Sequence, residues 1–192
     1  MLKKLKKKRR VLELGFALGF AFTVLLTAFA AHRRQVADRV CADTVRLHIL
    51  ANSDTLEDQL VKLQVRDAVL EAINQDFSGD GTLEGTIACL EGEMDRIEET
   101  ANEVLAEAGM PYQAKAELTE MYFTTREYER DGSTFSMPAG RYQALRITLG
   151  SGEGHNWWCV AYPPMCIDAA VEGQAAVVER EILDLGQTPV YK

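Results

Sequence analysis

Three spacings of apolar residues divide this chain of 192 residues. The first is an unbroken run, in which residues 14–31 read LGFALGFAFTVLLTAFAA without a charge. Seven Lys/Arg precede it within residues 1–10, and Arg33 and Arg34 follow it. A basic cluster ahead of an apolar stretch is the layout of an export signal or an amino-terminal anchor. Eighteen uncharged residues exceed the roughly 7–15 of a signal core and just reach the ~17–25 that cross a bilayer. Cleaved leader and retained anchor therefore both stay open. The basic bias holds the amino terminus in the cytoplasm and places everything from about Gln35 onward outside.

The second spacing is two. Residues 44–51 set Val45, Leu47 and Ile49 against Arg46 and His48, as in a half-buried strand. Strands are also predicted at 112–119, 121–128, 141–149 and 156–161, with a turn at 130–133 and a stop at Pro163. Gly150, Gly152 and Gly154 lead into a strand instead of opening a helix, so they are read as a hairpin loop and not as a phosphate cradle.

The third spacing is three to four. Asn52-Ser53-Asp54 ends the first strand, and Asp54 with Glu57 has the spacing of a helix-opening capping box. The helix that follows buries Leu56, Leu60, Leu63, Leu70 and Ile73, and pairs Asp58 with Lys62 on its wet side. A second helix carries one stripe from Leu83 through Ile87, Leu90, Met94, Ile97, Ala101 and Leu105 to Ala108, and stops at Gly109 and Pro111. A last helix is predicted over 168–185 on Val171, Ala175, Val178 and Ile182. The order β-α-α-β-β-β-β-α predicts an α+β fold, a largely antiparallel sheet with helices packed on one side. The chain divides into a leader or anchor (1–34), a polar stalk (35–43) and a single domain (44–188).

Charge follows the same division. Residues 1–34 carry a net +8 and the remainder a net −16, giving −8 for the chain. So acidic an exported domain is a poor match for nucleic acid, whose phosphates need a basic face. Eight acids against Arg96 alone on residues 83–108 form a solvated face or a docking face for a basic partner.

The search for chemistry yields little. His32, His48 and His155 are scattered, no metal-ligand spacing occurs, and no cofactor fingerprint is present. Cys159 with His155 is the sharpest enzymatic arrangement, a cysteine hydrolase of peptide or cell-wall bonds. On one extended strand, however, the pair would stand ~13 Å apart. Cys159 and Cys166 flank Pro163-Pro164, which suits a short disulfide-closed loop worth ~2–3 kcal/mol, or two buried thiols. Cys41 and Cys89 pair or stay reduced. Tyr162-Pro163 is a candidate cis bond. Trp157 and Trp158 on a strand must face opposite ways, one into the core and the other toward solvent, a partner or a covering helix.

Two stretches, 45–70 (VRLHILANSDTLEDQLVKLQVRDAVL) and 138–166 (PAGRYQALRITLGSGEGHNWWCVAYPPMC), resemble the stage II sporulation protein R family. Met165 and Ile167 depart from the Leu and Phe common beside Cys166 in that family, and the leader is unusually basic. The resemblance implies a signalling protein made in the forespore and exported into the space between forespore and mother cell. There it would activate a membrane-embedded aspartic protease that removes the pro-segment of the early mother-cell sigma factor. No catalytic residue, cofactor or small-molecule substrate comes with the resemblance. Asn52, Ser53, Asp54, Asn156, Trp157 and Trp158 are the expected partner-binding residues.

Overall fold

In the computed structural model, which describes residues 2–76, 82–130 and 133–163, the chain divides into two units, Met1–Asp38 and Arg39–Lys192. Helix α1 runs without interruption over Leu2–Ala42 and is long and apolar enough to cross a bilayer. Thr23 and Thr27 return their hydroxyls to the carbonyls of Gly19 and Thr23 (2.9 and 3.0 Å), so neither leaves a polar group open on the apolar stretch. The expected stalk is helical up to Ala42, and Val40 and Cys41 are already buried in the second unit.

That unit is built on a four-stranded sheet in the order β2 (Ala114–Phe123), β5 (Gly140–Leu149), β1 (Val45–Leu50), β6 (Asn156–Tyr162). β1 is parallel to β5 and antiparallel to β6, while β2 is antiparallel to β5. Strands β3 (Arg126–Arg130) and β4 (Ser133–Met137) form a separate antiparallel pair. The sheet is thus largely antiparallel and the fold is α+β. Where two strands are predicted at 112–119 and 121–128, β2 instead runs unbroken to Phe123, and the chain then turns into the β3–β4 pair. The Tyr162-Pro163 bond is cis.

Helices α2 (Leu56–Asp76), α3 (Leu83–Gly92) and α4 (Met94–Glu107) follow β1. Residues 83–107 are two helices, not one. The chain breaks at Glu93 (φ −98°, ψ 6°), just after Gly92, a residue with weak helix propensity. Thr82 caps α3 by accepting the Gly85 N–H at 3.0 Å. The core lies between the helices and one sheet face, where Val45, Leu47, Ile49, Leu145, Ile147 and Leu149 meet Val61, Val65, Val69, Ile97, Ala101 and Leu105.

Helix α2 is rotated from the predicted face. Leu56 and Leu60 are 76% and 53% exposed, whereas Asp58 and Lys62 are only 6% and 5% exposed. The valines at 61, 65 and 69 form the inward row, and the two charged side chains on that row are held by hydrogen bonds of their own instead of pairing with each other.

The opposite sheet face is also covered. Arg46, His48, Phe123, Tyr142 and Val160 are buried there, together with Phe135 and Met137 of the β3–β4 pair. The alternation of β1 therefore separates two buried environments, not a dry and a wet one.

Because β5 and β6 flank β1 on its two sides, residues 150–155 must pass over the carboxyl end of β1. The glycines at 150, 152 and 154 are thus a crossing and not a hairpin. Gly150 and Gly152 take positive φ (56° and 68°), and a Cβ on Gly154 would stand 2.2 Å from the Ser53 carbonyl oxygen. Gly154→Ala is expected to lower stability by about 1–3 kcal/mol, since backbone would have to move. Gly92→Ala, where nothing lies within 4 Å, should stay within about 1 kcal/mol of the parent. Thermal unfolding of the two variants checks this.

Candidate functional site

The crossing loop and the turn after β1 are tied by reciprocal hydrogen bonds. Asn52 Oδ1 accepts from the Ser151 N–H (3.0 Å), and Ser151 Oγ donates to the Asn52 carbonyl (2.8 Å). The Gly154 and Glu153 N–H groups donate to the carbonyls of Ala51 and Asn52 (2.9 and 3.2 Å). Asp54 does not cap α2. That role falls to Thr55, whose hydroxyl accepts the Asp58 N–H at 3.3 Å. Asp54 Oδ1 instead accepts from the backbone N–H and the ring Nδ1 of His155 (2.6 and 2.5 Å). The hydrogen bond from the ring, then that from the backbone, hold this exposed carboxyl below the usual carboxylate range.

Beneath the rim lies Asp58. Ser53 Oγ and Asn52 Nδ2 donate to its Oδ2 (2.5 and 3.0 Å), and the Tyr112 hydroxyl donates to its Oδ1. Desolvation pushes this carboxyl up, but the hydrogen bonds from Ser53, Tyr112, Asn52 and Thr55 together outweigh it and hold the group below its ordinary value. Lys62 Nζ donates to Gln59 Oε1 (2.6 Å) and to the His155 carbonyl (2.9 Å), fastening the loop to α2. Burial lowers the Lys62 ammonium's pKa.

The two tryptophans separate as a strand requires. Trp157, opposite Ile49, lies half-buried against the helix-side core with the Arg66 guanidinium 5.3 Å from its ring centroid. Trp158, opposite His48, is half-buried on the other face, stacked on the His48 ring at 4.0 Å and 10°. Neither stands alone toward solvent. The structure brings Asn52, Ser53, Asp54 and Asn156 to one end of the sheet with Trp157 on the adjoining helix side, and puts Trp158 behind them. Asp54, His155 and Asn156 are the members facing solvent.

Sequence reasoning passed over Arg46. Its fully buried guanidinium lies 4.4, 5.6 and 5.1 Å from the ring centroids of Phe123, Tyr128 and Tyr142, donates to the Tyr128 hydroxyl at 2.5 Å, and leaves Nη1 without a hydrogen bond. Burial, then the charges of Arg146 and Arg46, lower the His48 pKa to about 4, so its ring is neutral at physiological pH. Period-two alternation gave the signal, Arg46 and His48 on one face, but could not say that this face is also covered.

Cys159 is buried and disulfide-bonded, so it holds no thiolate and the Cys159–His155 nucleophile reading is not supported. Cys41 and Cys89 are thiols. Cys166 and the helix predicted over 168–185 lie outside the described residues. No group of three metal-ligating side chains forms among the described residues.

The depressed Asp58 carboxyl stabilises the fold above the ordinary carboxylate range near pH 4, and that contribution disappears as pH falls through the lower folded value. Asp58→Ala should cost about 1–3 kcal/mol at neutral pH, by leaving the half-buried Tyr112 and Asn52 donors without this acceptor. Asp58→Asn should flatten the acid limb of stability against pH, read from unfolding midpoints between pH 3 and 7.

A family model described as stage II sporulation protein R (spore_II_R) matches residues 41–172, which takes in the whole described sheet. The chain is similar to stage II sporulation protein R of Bacillus subtilis (strain 168), 35% identical over 137 residues, covering 71% of this chain and 59% of that relative. It therefore spans about three fifths of the curated relative's length. No solved structure matches. The chain belongs to the stage II sporulation protein R family.

Proposed function

We propose that this protein is a non-enzymatic signal of sporulation, exported from the forespore and held at or released from the membrane by α1. In this reading it acts by activating a membrane-embedded aspartic protease that processes the precursor of the early mother-cell sigma factor. Family membership supports the sporulation role. The observation that carries the contact surface is the rim at the end of β1. There Asp54 and His155 hold each other and Lys62 holds the His155 carbonyl before any partner arrives, with Asn156 set beside them opposite Leu50 and Trp157 next to it on the strand. A surface ordered in advance loses little conformational entropy on docking.

Activation by contact needs differential affinity for the protease's active arrangement. A hundredfold shift in its population takes about 2.7 kcal/mol, within reach of a few aromatic and charge-assisted contacts.

Reconstitution of the full chain with the protease and its pro-protein substrate tests the proposal. Trp157→Ala and Asp54→Ala are expected to cut processing at least about tenfold, a loss of ~1.4 kcal/mol, with membrane association unchanged. Processing at parental rates by both variants would remove this rim as the contact surface. Cys159→Ser should reduce thermal stability more than it reduces processing by the folded fraction, as a structural sulfur would.

A further inference from the structure

Among the described residues, the outer edge of β2 is protected over only half its length. Asn102 of α4 accepts the Ala114 N–H (2.8 Å) and donates to the Ala114 carbonyl (3.3 Å), while Glu98 accepts the Ala116 N–H (2.9 Å). These contacts identify the even-numbered residues as those whose backbone groups point away from β5. β2 pairs with β5 without a register break from Ala114 to Phe123. The period-two geometry of an antiparallel ladder therefore points the N–H and C=O groups of Leu118, Glu120 and Tyr122 outward as well. Among the described residues, none of these three has a backbone partner beyond the β2–β5 pair.

Natural edges are blunted by charge, proline, bulges or a covering element. Here α4 covers the first two outward positions, and among the described residues nothing hydrogen-bonds the backbone of the next three. Their side chains share one face, where Leu118 leans on the core, Tyr122 is 61% exposed, and Glu120 pairs with the exposed Arg141 at 3.1 Å.

We propose that the open half of β2 receives an extended segment of a partner protein by strand addition. That segment carries a Lys or Arg opposite Glu120 and apolar side chains two positions to either side, opposite Leu118 and Tyr122. A second copy of this chain is the poorer occupant. Antiparallel self-pairing over these residues sets Glu120 against its own copy, and like charges directly opposite destabilise a ladder. A basic residue there would instead complement a domain of net −16. The site lies at the opposite side of the sheet from β6 and stands whether or not the protease reading does.

The full chain, isotopically labelled in detergent micelles, is titrated with the peptide acetyl-Thr-Val-Thr-Lys-Thr-Val-Thr-amide while amide hydrogen exchange is followed by residue. At about 5 mM peptide, exchange at Leu118, Glu120 and Tyr122 should slow about threefold, as mass action gives for a dissociation constant of about 2 mM. The amides of residues 150–155 should not change. N-methylation of both Val and the Lys of the peptide should abolish the slowing. Glu120→Pro, which removes an outward N–H that the sheet does not use, should abolish it with near-ultraviolet circular dichroism preserved. Unchanged rates, equal slowing by the N-methylated peptide, or slowing that survives Glu120→Pro each overturn the proposal. So does a concentration-dependent dimer that protects the same amides without peptide.

Discussion

Asp58 is a carboxylate placed where an amphipathic helix would ordinarily present a valine. Removing its charge from water is unfavourable, and the fold meets that cost with donors from two separate parts of the chain: the turn after β1 and Tyr112 beyond α4. Each donor is thereby fixed, and each fixes something further. Asn52 reaches across to Ser151, and Ser53 and Thr55 set where α2 begins. Lys62, one turn further along α2, holds the crossing loop by the His155 carbonyl. The Asn52–Ser151 and Lys62–His155 links order the crossing loop, and with it the Asp54–His155 pair at this end of the sheet.

The second sheet face solves a different problem. A guanidinium as deeply buried as that of Arg46 is costly unless its charge is compensated, and here the compensation comes chiefly from ring faces. Phe123, Tyr128 and Tyr142 surround it, each able to return up to about 2 kcal/mol when desolvated. Burial, with the charges of Arg146 and Arg46 adding to it, keeps His48 neutral and able to stack flat on Trp158. Arg126 lies 5.0 Å from the outer side of that indole. The β3–β4 pair is thus held to the sheet by cation and ring contacts as much as by aliphatic burial.

Much of this was legible from residue order. The alternation of Val45, Leu47 and Ile49 located the central strand, the apolar run located α1, and the paired tryptophans had to separate. Other features escaped for physical reasons. Leucines outnumber valines in α2, so counting apolar residues chose the wrong face; the decisive fact was the hydrogen-bonding demand of the turn, which draws Asp58 and Lys62 inward. Asp54 and Glu57 have capping-box spacing, yet Thr55 is the cap because Asp54 is taken by a residue 101 positions away. Three glycines between two strands look like a hairpin until the strand order shows that β1 lies between them. The long stripe through Ile97 hid a break at Glu93, because an apolar face continues across a kink.

β1 follows directly on α1, yet its neighbours in the sheet come from the far end of the domain: Val45 lies opposite Gln143, and Leu50 opposite Asn156. Closing contacts across roughly a hundred residues carries its entropy cost before any reward. The first strand in the chain is therefore the last to be completed on both sides. Until residues 140–149 and 156–162 are in place, Val45 to Leu50 remain an unsatisfied ribbon, so the sheet closes only after nearly all of it is present.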